Sequence, residues 1–143
     1  MKKALIVTFT IILLLIALFV CWPDERKLGD NYYYLPKYEA IDVGFANAEA
    51  IVYKSKNRKV FQDIKITGDV IRVSGNKDFI VALQKIPSGP LAPSYYDPDT
   101  LTDLKYYIIS KNTDSVYGPF SKEQYVLKRN ELGVSQKLEL AAP

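Results

Sequence analysis

Nineteen consecutive residues, 4–22, carry no charge, and Thr8 and Thr10 are their only polar side chains. At ~1.5 Å rise per residue such a run makes a helix of roughly 28 Å, close to the ~30 Å hydrocarbon thickness of a bilayer. A buried helix of a soluble domain would show a polar face, and this run has none. It therefore reads as a transmembrane or signal helix, preceded by Lys2 and Lys3. Residues 23–31, PDERKLGDN, are polar and read as a short stalk.

Beyond the stalk the pattern shortens to the period of strands. Tyr32, Tyr33, Tyr34 and Leu35, closed by Pro36, predict a first strand at a sheet edge. In residues 40–46 Ile41, Val43 and Phe45 alternate with Asp42 and Gly44, as in a half-buried strand. Residues 50–53, AIVY, give another, ended by a basic turn over residues 54–59. Residues 64–73, IKITGDVIRV, look like a hairpin around Gly68 and Asp69. A turn at residues 74–77 leads into FIVAL, residues 79–83, apolar enough to be the central strand of an antiparallel meander.

The C-terminal third alternates and then changes period. Residues 106–109 predict a strand, 111–114 (KNTD) a turn and 115–117 the return, stopped by Gly118, Pro119 and Phe120. Ser121 with Gln124 three residues on forms a capping box, and Phe120 with Tyr125 a hydrophobic staple. A helix is expected from Ser121 to Leu132, with Gly133 as its left-handed C-terminal cap. The elements together predict an α+β fold: a transmembrane or signal helix (1–22), a stalk (23–31), a β-rich domain (32–134) built as an antiparallel meander with one C-terminal helix, and a loose tail (135–143).

Composition narrows the function classes. Of 19 basic residues two precede the apolar run, leaving 17 against 16 acidic. That near-balance gives no overall electrostatic footprint for nucleic acid or for an anionic membrane surface. The chain has no histidine, which excludes histidine zinc sites, a Ser-His-Asp triad and imidazole base catalysis. No glycine-rich phosphate loop and no cofactor motif is present. Asp97, Asp99 and Asp103 invite a calcium reading, but counting from Asp97 an EF-hand would need a ligand at Leu101, glycine at Thr102 and glutamate at Ile108. Solvated acids in a turn are the better account, and no metal site is expected. Four prolines between residues 87 and 98 stiffen a long loop that displays Tyr95 and Tyr96, which are candidate partner contacts or plain covers for a sheet edge.

The sole cysteine, Cys21, stands at the end of the apolar run. Ordinary signal cleavage wants a shorter apolar stretch and an Ala-x-Ala site. Lipoprotein processing wants small residues before the lipidated cysteine, and Leu18-Phe19-Val20-Cys21 matches it at Leu18 and Cys21 only. Cys21 is thus a lipidation candidate or the last small residue of a retained anchor, and either outcome tethers the same domain through residues 4–22.

The runs YYIISKNTDSVYGPFSKEQYVLKRNELGV (residues 106–134) and LGDNYYYLP (28–36) resemble a bacterial domain family of unknown function found in small predicted lipoproteins. The resemblance implies an exported, membrane-tethered α+β domain and supplies no activity. The expected role is a non-enzymatic binding or interaction module on the bacterial cell membrane, facing outward, with a protein partner and no nucleic acid. The alternatives are an envelope immunity or inhibitor-type protein and, below that, a hydrolase.

Overall fold

A computed structural model describes residues 26–44, 49–85 and 104–141. The elements are β1 (Lys27–Gly29), β2 (Tyr32–Leu35), α1 (Lys37–Asp42), β3 (Ile51–Lys54), β4 (Ile64–Ile66), β5 (Val70–Gly75), β6 (Phe79–Lys85), β7 (Leu104–Ser110), β8 (Ser115–Phe120) and α2 (Lys122–Glu131). The strands form two four-stranded sheets, β1-β2-β3-β4 and β5-β6-β7-β8, antiparallel throughout. The fold class is α+β, with antiparallel sheets and a C-terminal helix.

The side-chain period of two sorts each strand into an inner and an outer face. Inward, Tyr32, Tyr34 and Val52 of the first sheet meet Val73, Ile80, Ala82 and Ile109 of the second in one buried cluster. Outward, Leu35, Ile51 and Tyr53 pack under α1 with Ala40. On the other flank Val81 and Ile108 pack under α2 with Tyr125, Val134 and Leu138. The order of layers is therefore α1, first sheet, second sheet, α2. Strands buried on both faces lose their alternation, which is why β3 and β6 read as unbroken apolar runs.

β6 is the central strand expected, paired on both sides, with Ile80, Val81 and Ala82 wholly buried. The β7–β8 hairpin holds the KNTD turn, although β8 continues to Phe120 where a stop was expected. Both halves of the capping box form: the Gln124 backbone N–H donates to Ser121 Oγ (3.3 Å) and the Ser121 backbone N–H to Gln124 Oε1 (3.0 Å). Gly133 follows at φ +67°, the left-handed cap position.

Several expectations are corrected. The strand expected over residues 40–46 does not form at 40–44, because α1 takes residues 37–42 and a turn follows; residues 45–46 lie outside the described residues. An alternation of five residues fits either period, and the helix wins by burying Ala40 while leaving Ile41 and Val43 outside. Residues 64–73 are not a hairpin. β4 pairs with β3 and β5 with β6, so Gly68 and Asp69 carry the chain from one sheet to the other. Gly68 sits at φ +92° and the Val70 N–H turns back to its carbonyl at 2.7 Å. Ile66 and Val70 then both reach the shared core.

The strand at 32–35 is internal, and the edge is β1, within the stretch expected to be a stalk. Leu28 draws that stretch in, since it is the one apolar side chain available and it joins the inter-sheet cluster. The tail is docked as far as Ala141. Val73 N–H donates to the Ala141 carbonyl (3.1 Å), Ala141 N–H to Ser74 Oγ (3.1 Å), and Leu138 is buried. The expected membrane helix lies outside the described residues. Among those described, no helix is long and apolar enough to cross a membrane.

Candidate functional site

α1 lies on the outer face of the first sheet, set there by Pro36, whose extended φ and ψ of −72° and 156° end β2 and begin the helix. Only Ala40 of its six residues is buried, so the helix approaches the sheet closely at one point. Opposite it, residues 55–61 form a loop braced by its own side chains. The Asn57 N–H donates to Ser55 Oγ (3.2 Å) and the Lys59 N–H to Asn57 Oδ1 (3.0 Å). Such Asx and Ser turns hold a loop without regular structure.

Between helix and loop is an open-sided cavity of about 640 Å³, within the size range of small-molecule sites. Its floor is aromatic. Tyr53 stacks on Tyr33 (centroids 5.6 Å, planes 27° apart) and meets Phe61 edge-on (5.3 Å, 70°). The Tyr53 hydroxyl donates to the Arg58 carbonyl at 2.7 Å, tying floor to loop. Glu39 and Asp42 line one wall and Arg58 and Lys59 the other. Glu39 is ion-paired to Arg26 and lies 3.8 Å from the Arg58 guanidinium. A carboxylate held between two guanidinium groups has its orientation fixed and is a good anchor for geometry. The cavity suits an amphipathic group that places an apolar part on the rings and a polar part at the rim.

A second cluster joins the two sheets. Asp114, at the end of the KNTD turn, accepts a hydrogen bond from the Tyr32 hydroxyl and ion-pairs with Lys54 and Lys65, each at 3.0 Å. Lys65 also holds Asp63 at 2.8 Å. The Tyr32 hydrogen bond, with those from Lys54 and Lys65, brings the Asp114 carboxyl down to about 2. Burial and the facing Asp114 push the Tyr32 hydroxyl above its usual range. Burial lowers Lys65, but its bonds to Asp63 and Asp114 outweigh that and raise it overall. Nearby, the buried Lys111 ammonium donates to the carbonyls of Leu28 and Asn76, and burial pushes its pKa down. These groups bind one another across the sheets, which marks them as a clasp.

Cys21, Tyr95 and Tyr96 lie outside the described residues, as do Asp97, Asp99 and Asp103. Among the described residues no three His, Cys, Asp or Glu side chains gather into a metal site. The sequence reading does not single out the cavity residues because Glu39 falls in the unassigned gap between the strands expected at 32–35 and 40–46, and Arg58 in a basic turn. The alternative reading of KYEAID as one and a half helical turns after a proline was the available signal.

A family model described as a protein of unknown function, DUF3997, matches residues 31–143. The chain belongs to this family. The match takes in every element from β2 to α2. The DUF3997 description carries no activity, and it says nothing of a lipid anchor or of a bacterial source. No curated protein and no solved structure matches the chain.

Proposed function

We propose that this protein is a membrane-tethered, extracytoplasmic binding module that holds its partner in the groove between α1 and residues 55–61. The observation that carries the reading is the open-sided cavity with an aromatic floor, lined by the exposed Val43 and by charged side chains, with Tyr38 and Ile41 exposed on the same helix. Apolar rings that fix a body and a few polar groups that fix its orientation are the makings of a recognition site. The uncharged run at residues 4–22 supports the tether, with or without lipid on Cys21. A chain without histidine, whose groove carboxylate Glu39 is held by arginine, supports recognition over acid–base chemistry.

The full-length chain carrying a photo-cross-linking side chain at Val43, and separately at Leu127 on α2, tests the reading in spheroplasts. The expected result is a discrete adduct at Val43 and none at Leu127, with the domain digested by protease added outside. A protected domain, or no adduct at Val43, would overturn it.

A further inference from the structure

The same groove face has a second property, which rests on the tethered reading and names what the rim touches. Only residues 23–25 separate Trp22, the end of the apolar run, from Arg26, the first described residue. Four Cα steps span at most about 14 Å. With residues 1–20 removed and lipid on Cys21, the link is five Cα steps, at most about 18 Å, so either anchor keeps it short.

Arg26 is in turn bound to α1. Its guanidinium lies 5.8 Å from the Tyr38 ring centroid, donates to the Tyr38 hydroxyl (3.2 Å) and pairs with Glu39. The tether therefore reaches the domain at a residue held against α1, with α2 on the far side of both sheets. On that near side Tyr38, Ile41 and Val43 are 62, 59 and 53% exposed, and Val60 on the facing loop is 38% exposed. Basic residues outnumber acids beside them: Lys37 on the helix, 3.8 Å from Asp69, and Lys56, Arg58 and Lys59 in a loop stretch, residues 56–61, that contains no acid, against Glu39 and Asp42 on α1, of which Glu39 is held by Arg26 and Arg58. Tyrosine and aliphatic side chains beside an excess of basic residues are the composition of an interfacial contact, where the apolar groups enter the headgroup boundary and the lysines meet anionic headgroups.

We infer that the rim formed by α1 and residues 56–60 rests on the anionic phospholipid surface of the membrane that holds the anchor. The domain is thereby oriented with its cavity at the headgroup layer, and the partner of the groove is reached at the membrane plane.

The test uses the full chain in a Cys21→Ser background, reconstituted in vesicles of mixed anionic and zwitterionic phospholipid. An environment-sensitive fluorophore is placed through Ile41→Cys or, as the far-side control, Leu127→Cys. Both sites are exposed, at 59 and 70%, so neither label disturbs a core. A lipid-borne nitroxide is expected to quench the label at 41 at least three-fold more than the label at 127. The difference should shrink when Lys56 and Lys59 are changed to Gln, when salt is raised, or in purely zwitterionic vesicles. Equal quenching at the two sites in protein that floats with the vesicles overturns the contact and leaves the tether standing. Protein that does not float overturns the tether and the contact with it.

Discussion

The two sheets share a strand count and an up-and-down connectivity, yet their outer faces are closed differently. Over the second sheet α2 is ten residues long, with a full capping box at its start and Gly133 at its end. It buries Tyr125 on Val81 and Ile108, and the chain after it adds Val134 and Leu138. Arg129 holds that segment through the carbonyls of Ser135 (2.7 Å) and Leu138 (3.0 Å). Over the first sheet α1 has six residues, no side-chain cap, and one buried side chain, Ala40. At ~1.5 Å per residue it is about 9 Å long, short of the roughly 14 Å across four strands spaced ~4.8 Å apart. The uncovered remainder is the cavity and its exposed rim. The lesson is that a sheet face becomes core or site according to how much of it the overlying helix can reach.

The largest contrast should come from the covering residues themselves. Tyr125→Ala removes a ring 4% exposed that packs on Tyr106 at 4.9 Å, and a loss of about 3 kcal/mol is expected in urea unfolding. Next, Lys111→Ala leaves the Leu28 and Asn76 carbonyls without their buried donor, uncoupling β1 from the β5–β6 turn. A loss of about 2 kcal/mol is expected, with amide exchange at β1 rising before that at β6.

Asp114→Asn sharpens the comparison by testing what joins the sheets. The substitution keeps a residue that tolerates the φ of +55° found there. The carboxyl is depressed in the folded state, to about 2, so its contribution is full above the ordinary carboxylate range near pH 4 and fades as pH falls toward 2. Because the side chain is 39% exposed, solvent screening reduces that contribution to about 1 kcal/mol. Wild type should therefore exceed the variant by about that amount at neutral pH, and the two curves should meet near pH 2. The smallest effect is expected at Ile41→Ser, where an exposed residue on the open flank should change stability by less than about 0.5 kcal/mol. A larger loss there would mean that the rim is structural core.

The contrast also separates what could be read from the chain. α2 was legible from Ser121 to Gly133 because its start and stop signals are local, each satisfied by backbone within a few residues. β6 was legible because FIVAL is apolar at every position. α1 was misread because Ile41 and Val43 straddle Asp42 at strand spacing, and only the fit of Ala40 against the sheet distinguishes the two. Gly68 and Asp69 are good hairpin residues that serve here as a crossover, a choice made by where Ile66 and Val70 find burial. β1 was invisible in a polar stretch, since its pairing is backbone bonding plus Leu28 alone. The groove followed α1 into the unread part, and the Asp114 clasp joins residues up to 82 positions apart.

The sequence by itself determined the elements whose physics is local: the buried strands, the KNTD turn and the capped final helix. The tertiary structure alone decided which strands share a sheet, that the chain after α2 is docked as far as Ala141, and which face the described residues leave open. Those outcomes depend on competition among distant apolar groups for one shared interior, and no window of neighbouring residues contains both sides of that competition.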